Sequence, residues 1–266
     1  MAYKIIIDPG HGGGDPGAVY NGRQEKDDNL NLGLAVGEIL KNRGFDVLYT
    51  RDSDVYQTPF EKASFANENN GDLFISFHRN SSPNNNEYSG IETLVYDKSG
   101  LKYQLAENID AEVAKVGYRN LGVKERPGLV VLRRTRMPAV LIETGFLNND
   151  RDNELYDEKF DQIAEAIANA VTDTLREDGI VPEESLDILE NGQEPNPLYR
   201  VQVGAYRYRE NADNLLYELQ EKGYPAFILA QDGLYRVQVG AYAQLGNAIR
   251  MERNLRRAGY STFITT

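Results

Sequence analysis

The 266-residue chain contains no cysteine and no tryptophan, and only two histidines. Without cysteine there is no disulfide, and any zinc site must be built from His, Asp or Glu. Such a chain is compatible with a reducing interior. No run of eighteen apolar residues occurs, so no transmembrane helix and no membrane partner are expected. The first residues run straight into an apolar segment. They lack the basic, apolar and small-residue stretches of a signal peptide, so none is expected. Positive charge is in deficit: 29 Lys and Arg stand against 41 Asp and Glu, a net charge of -12. That balance argues against a nucleic-acid binder. The deficit is uneven. From Leu198 onward 9 Lys and Arg face 6 Asp and Glu, a surplus of +3, which leaves about -15 for the first 197 residues.

What is present is organised around the stretch from Lys4 to Gly17. Ile5, Ile6 and Ile7 form a β-branched run suited to a strand buried on both faces. Asp8-Pro9-Gly10 breaks it, because Pro cannot donate to a ladder and Gly opens positive φ. His11 therefore falls just past the carboxyl end of a buried strand, where open α/β sheets bind ligands. The other histidine, His78, ends a second apolar run, Leu73 to Phe77. If those strands are parallel neighbours, the two imidazoles converge at one edge of the sheet.

Strand and helix patterns alternate through the first 176 residues. A helix is expected to start at Asp27-Asp28, with acid at the positive end of its dipole, and to end at Gly44. Phe45 to Thr50 reads as a strand, and Thr58-Pro59 opens a helix to about Asn69. Asp72 to His78 and Ile91 to Tyr96 read as strands, with an Asn, Ser and Pro loop between them. Leu101 to Val116 reads as a helix, Val130 to Leu132 and Ala139 to Thr144 as short strands, and Phe160 to Leu175 as an amphipathic helix. The alternation predicts an α/β fold, a twisted and mostly parallel sheet between helices. Glu177 to Pro197 carries seven acidic residues, no basic ones and three prolines, which reads as an extended linker.

Residues 198–266 are an internal repeat. Leu198 to Tyr206 recurs as Leu234 to Tyr242 at an offset of 36. Each copy reads strand, helix, strand, and one copy is too small to bury its own face, so the two are expected to share one sheet in a small α+β domain. Alternation turns Val201 and Val203 toward the helices. Gln202 and Tyr206, and their counterparts Gln238 and Tyr242, then point to the open face.

A catalytic zinc needs a third protein ligand beside two histidines. Candidates are carboxylates, and Glu25 lies in the loop after His11, where it could equally be a solvated charge. Glu143 ends the apolar run Ala139 to Ile142. A carboxylate there is partly desolvated, which costs several kcal/mol unless it is paired. It reads either as one half of a structural ion pair or as a general base. The stretch Gly12 to Gly17 matches the dinucleotide pattern G-x-G-x-x-G, but that fingerprint must open a helix directly after the strand, and here a turn intervenes.

Asp8 to Gly13, a lone Glu25, Ser76 to Asn80 and Pro138 to Leu147 occur in an order that resembles the zinc-dependent N-acetylmuramoyl-L-alanine amidases of the third amidase family. The resemblance covers about residues 1 to 176. It implies one zinc ion per chain with His11, Glu25 and His78 as ligands, Glu143 as the catalytic base, and Asn80 as support for the site. The tail resembles the sporulation-related (SPOR) repeat, with Val-Gln-Val-Gly-Ala-Tyr as its signature. That resemblance implies a domain binding peptidoglycan glycan strands on its sheet face, where Gln202, Tyr206, Gln238 and Tyr242 are expected. With no Trp, stacking on sugars falls to Tyr or Phe.

The implied activity is hydrolysis of the amide between N-acetylmuramic acid and L-alanine. Three rivals stand beside it: a zinc peptidase or deacetylase on the same scaffold, a wall-binding protein with a dead site, and, for the tail, an RNA-binding sheet. The last lacks the RRM signature. The expected setting is synthesis in the cytoplasm of a Gram-positive bacterium or by a phage, with action on the wall after lysis or passage through a holin.

Overall fold

The computed structural model describes residues 3–180, 198–242 and 245–265. The linker expected over 177–197 lies almost wholly outside the described residues. The chain opens with β1 (Lys4–Pro9), a short hairpin of β2 (Val19–Tyr20) and β3 (Arg23–Gln24), and helix α1 (Glu25–Asn42). Then come β4 (Asp46–Tyr49), α2 (Pro59–Glu68), β5 (Leu73–Asn80), β6 (Ile91–Val95) and α3 (Gly100–Val116). After them follow β7 (Lys124–Glu125), α4 (Val130–Arg134), β8 (Ala139–Phe146), α5 (Asp150–Glu158) and α6 (Phe160–Glu177).

The first sheet has the order β4-β1-β5-β8-β6-β7. Strands β4, β1, β5 and β8 run parallel, and β6 is antiparallel to β8. Helices cover both faces, which is why Ile5, Ile6 and Ile7 are all fully buried. Ile5 and Ile7 pack with α1, α3 and α6, while Ile6 packs with Ala66 of α2 and Val131 and Leu132 of α4. Burying each such side chain contributes about 1.5–3 kcal/mol. Helix α2 starts where Thr58-Pro59 predicted. Thr58 and Glu61 form a reciprocal capping box, with the Thr58 N–H donating to Glu61 Oε2 at 2.7 Å.

Three expectations in this part are corrected. Val130 to Leu132 is the start of helix α4, not a strand. A run of three apolar residues fits either form, and here a helical turn buries Val131 and Leu132 against α2. Helix α1 begins at Glu25 rather than at Asp27, with Gln24 extended at its N-cap, so Glu25 is not a loop residue. Helix α5 was not expected at all. Asn149 caps it by accepting the Asp152 N–H at 3.0 Å, and the polar composition of α5 hides it from any apolar periodicity.

The tail contains β9 (Tyr199–Tyr206), α7 (Arg209–Glu221), β10 (Ala226–Gln231), β11 (Leu234–Tyr242), α8 (Leu245–Arg257) and β12 (Phe263–Thr265). Its four strands make one antiparallel sheet in the order β10-β11-β9-β12. The two repeats therefore share a sheet, as expected. Val201, Val237 and Val239 face the helices, in one core with Ala212, Leu219, Ala248 and Leu255.

Candidate metal and catalytic site

The loop after β1 is clamped before it reaches His11. Arg51 donates to the carbonyls of Pro9 (Nε, 3.0 Å) and Gly10 (Nη2, 2.9 Å). Lys62 Nζ donates to Pro9 O at 2.6 Å and to Asp8 Oδ1 at 2.7 Å. Asp8 also accepts from Thr50 and Ser76, both at 2.7 Å. Burial alone would raise its pKa, but the Lys62 charge and these donors hold it below the usual carboxylate value. Gly10 has to be glycine, because a Cβ there would lie 2.3 Å from His78 Nε2.

His11 adopts φ +59°, in the left-handed region that side chains rarely occupy. Its Nδ1 meets Asp15 Oδ2 at 2.8 Å, and Asp15 is fixed in turn by a two-way backbone bridge with Gly12. His11 Nε2 lies 3.2 Å from Glu25 Oε1, and His78 Nδ1 lies 2.8 Å from the same oxygen. The two imidazoles stand edge to face with centroids 4.9 Å apart. Strand pairing of β1 with β5 brings them together, as the sequence implied. His78 lies on β5 itself rather than beyond it.

Glu25 is the hub. Its Oε2 accepts the Ala18 N–H at 2.9 Å, and its Oε1 also accepts from the Arg79 N–H and Asn29 Nδ2, both at 3.2 Å. As the first residue of α1 it also sits at the positive end of a helix dipole. Burial opposes its charge, but hydrogen bonds to His11 and His78 prevail and depress its pKa. His11 is raised to about 9: burial works against its protonation, and the contacts with Glu25 and then Asp15 overcome it.

These three side chains offer one carboxylate oxygen and two imidazole nitrogens within 4.8 Å of one another. That donor set, with Asp15 orienting His11 from behind, suits a divalent cation of the zinc type. Binding a cation would displace the protons that the imidazoles share with Glu25.

Glu143 is next to the group. On β8 it pairs with His78 of β5 on one side and with Glu92 of β6 on the other. Its Oε2 is buried and has no hydrogen-bond partner. Burial, reinforced by the nearby charges of Glu25 and Glu92, pushes its pKa up to about 7. No arginine pairs with it among the described residues, so the ion-pair reading fails. Asn80 makes no hydrogen bond to the His-Glu cluster. Its Nδ2 donates to Glu92 Oε1 at 2.9 Å, and its Oδ1 accepts the Ser81 N–H at 2.8 Å. Glu92 escaped the sequence reading, although it carries the same signal as Glu143: a lone acid inside an apolar strand. Asp15 was missed because four residues of loop give no periodic clue.

The second group of expected residues falls elsewhere. Gln202 and Gln238 are 5% and 2% exposed, not on an open face. Tyr206 and Tyr242 pack against the helix-side core of the tail. The pairing of β11 with β9 slips by a residue twice, between Val237 and Gln238 and between Val239 and Ala241. Each bulge inverts the alternation beyond it. Gly240, at φ +68°, takes up the second, which turns Ala241 to the face away from α7 and α8 and Tyr242 to the helices.

Among the described residues no helix is long and apolar enough to cross a membrane. The family model described as N-acetylmuramoyl-L-alanine amidase matches residues 5–173, and the SPOR domain model matches residues 195–266. The chain is 34% identical over 235 residues to the sporulation-specific N-acetylmuramoyl-L-alanine amidase of Bacillus subtilis, covering 86% of this chain and 85% of that protein. It is 36% identical over 185 residues to the endolysin of Bacillus phage SPP1, covering 66% of this chain and 67% of that protein. A crystal structure of an N-acetylmuramoyl-L-alanine amidase from Clostridium difficile 630 superposes with a TM-score of 0.62 at 36% identity, over 66% of this chain and 97% of that one. With its parallel sheet, its paired histidines and a matching model over most of its length, the chain belongs to the Amidase_3 family of N-acetylmuramoyl-L-alanine amidases and carries a C-terminal SPOR domain.

Proposed function

We propose that this amidase works with a single zinc ion held by His11, Glu25 and His78, and that Glu143 moves the proton in hydrolysis of the bond between N-acetylmuramic acid and L-alanine. The observation that carries the reading is the meeting of two imidazoles and one carboxylate beside a buried, partnerless Glu143 oxygen. Zinc at this position supplies Lewis acidity and lowers the pKa of water toward neutrality. Glu143, which burial makes more basic than an ordinary carboxylate, accepts a proton from the attacking water and returns it to the departing amine of L-alanine. Glu92 keeps Glu143 basic by its charge and ties down Asn80. Asp15 holds the ring of His11 through Nδ1, leaving Nε2 for the ion.

Residues 1–176 form the catalytic unit in this reading, 177–197 a linker, and 198–266 a unit that holds glycan strands of the wall. Relatives named for sporulation and for phage lysis support a role in opening the cell wall from within. The test is digestion of purified sacculi with and without a chelator, followed by mass spectrometry of the soluble products. New N-terminal alanine that disappears with the chelator is expected. Shortened stem peptides, or a free amine on the sugar, would replace the amidase reading with a peptidase or a deacetylase.

A further inference from the structure

The sheet of the tail presents one row of side chains across all four strands. Phe227 of β10 pairs with Gln238 of β11, Gln238 with Gln202 of β9, and Gln202 with Phe263 of β12. Helices α7 and α8 cover the other side of this sheet, through Val201, Val237 and Val239. Two amides flanked by two aromatic rings are what a sugar chain calls for, with hydrogen bonds in the middle and stacking at the ends. Yet Phe227, Gln238 and Gln202 are buried, and only Phe263, at the outer strand, is 54% exposed.

The chain's own catalytic unit covers them. Phe160, at the start of α6, stacks on Phe227 with centroids 5.0 Å apart and 19° between planes. Ala241 and Leu198 join the core that contains α1 and α6. Arg200, on the Gln202 face, pairs with Asp161. Along the β10 edge, Arg209 reaches Asp157 at 3.0 Å, and Asp157 also holds Arg23 at 2.8 Å. Tyr217 donates to the Asn21 carbonyl in the β2–β3 turn.

This seat fits the face incompletely. Gln238 Oε1 and Arg200 Nε are both buried in it without a partner. Each such orphan forgoes in the closed arrangement a hydrogen bond that it makes in water. A strand of hydroxyls and acetamido groups offers donors for the first and acceptors for the second, which the amidase surface does not.

We propose that the docked arrangement is a closed form in which the catalytic unit and a glycan strand compete for one face of the SPOR sheet. The inference rests on the reading of the tail as a glycan binder and adds that its ligand must displace a partner within the chain. Apparent affinity for glycan is then lowered by the fraction of molecules that are closed.

The probe is glycan strands stripped of stem peptides, which the full chain can bind but not cleave. Two measurements are made on the full chain, small-angle scattering with and without the strands and binding by the wild type and by the double variant Asp161→Lys, Tyr217→Ala. Both changes loosen the seat from outside the Gln202–Gln238 row. Saturating strands should increase the radius of gyration of the wild type, and the variant should bind about tenfold more tightly. Binding of equal strength by both proteins, with no change in scattering, overturns the competition and leaves the glycan reading standing. Failure of both proteins to bind overturns the glycan reading and the competition together, while wall digestion still reports on the amidase.

Discussion

The two sheets of this protein place their polar side chains according to different rules. In the first, helices cover both faces, so a ligand is left only the strand ends, and there His11, His78 and Glu143 collect. In the second, helices cover one face, and Gln202 and Gln238 lie in the middle of the other. Each unit carries buried polar atoms without partners: Glu143 Oε2 and Asp110 Oδ2 in the first, Gln238 Oε1 and Arg200 Nε in the second. The lesson is that an orphaned atom must be judged by its position. Glu143 and Gln238 sit where the proposed function brings a ligand, whereas Asp110 sits inside helix α3 against Thr93.

The largest effect is expected at the strand ends. Glu143→Gln keeps the shape and removes the proposed base, so the release of new amino termini from sacculi should fall by about 10³-fold. Zinc content, read by elemental analysis, should stay near one per chain. A variant that keeps its rate would deny Glu143 its part.

Asp110 sharpens the contrast, because its orphaned oxygen has no ligand to wait for. Burial raises its pKa to about 6, against about 3.8 for an exposed carboxyl. The folded form therefore holds a proton that the unfolded chain gives up first. Stability from this group is complete below about pH 4 and is lost as pH rises through 6. Asp110→Asn does not titrate and keeps an acceptor for Thr93. It should unfold at higher urea than the parent at pH 8, by roughly 1–3 kcal/mol, and match it at pH 4. Equal urea curves at pH 8 would show that Asp110 is as well satisfied as a surface acid.

The smallest effect belongs to the sheet face. Gln238→Ala should weaken binding to sacculi by about tenfold, the loss of one buried hydrogen-bonding group. Hydrolysis of soluble muropeptide should not change. A parallel loss in both assays would mean that the two sheets do not divide binding and chemistry between them.

Much of the catalytic unit was legible because burial on both faces writes continuous apolar strands, and the breaks at Asp8-Pro9-Gly10 and after Ile142 mark their ends. Glu25 was recognisable as a candidate ligand only through the order of motifs. A polar helix start looks like a loop, and its hub position depends on Ala18, Asn29 and Arg79, which carry no signal in sequence. Helix α5 stayed hidden for the same reason. In the tail the repeat showed the shared sheet, but strict alternation cannot foresee a bulge, so Tyr206 and Tyr242 came out on the wrong side. Nor can a local pattern reveal that Phe160 waits for Phe227, since a contact between units leaves no period in either.

Helix α1 starts at Glu25 and runs beneath β10 and β11, about 27 Å as a rod of 18 residues. At its near end five hydrogen-bonding groups grip the carboxylate; at its far end Arg43 is moored to Thr172 and Asn169. In the proposed reading, a pull on the tail from the polymer it holds is met by anchorage at both ends of this strut before it tilts Glu25, the proposed acidic ligand.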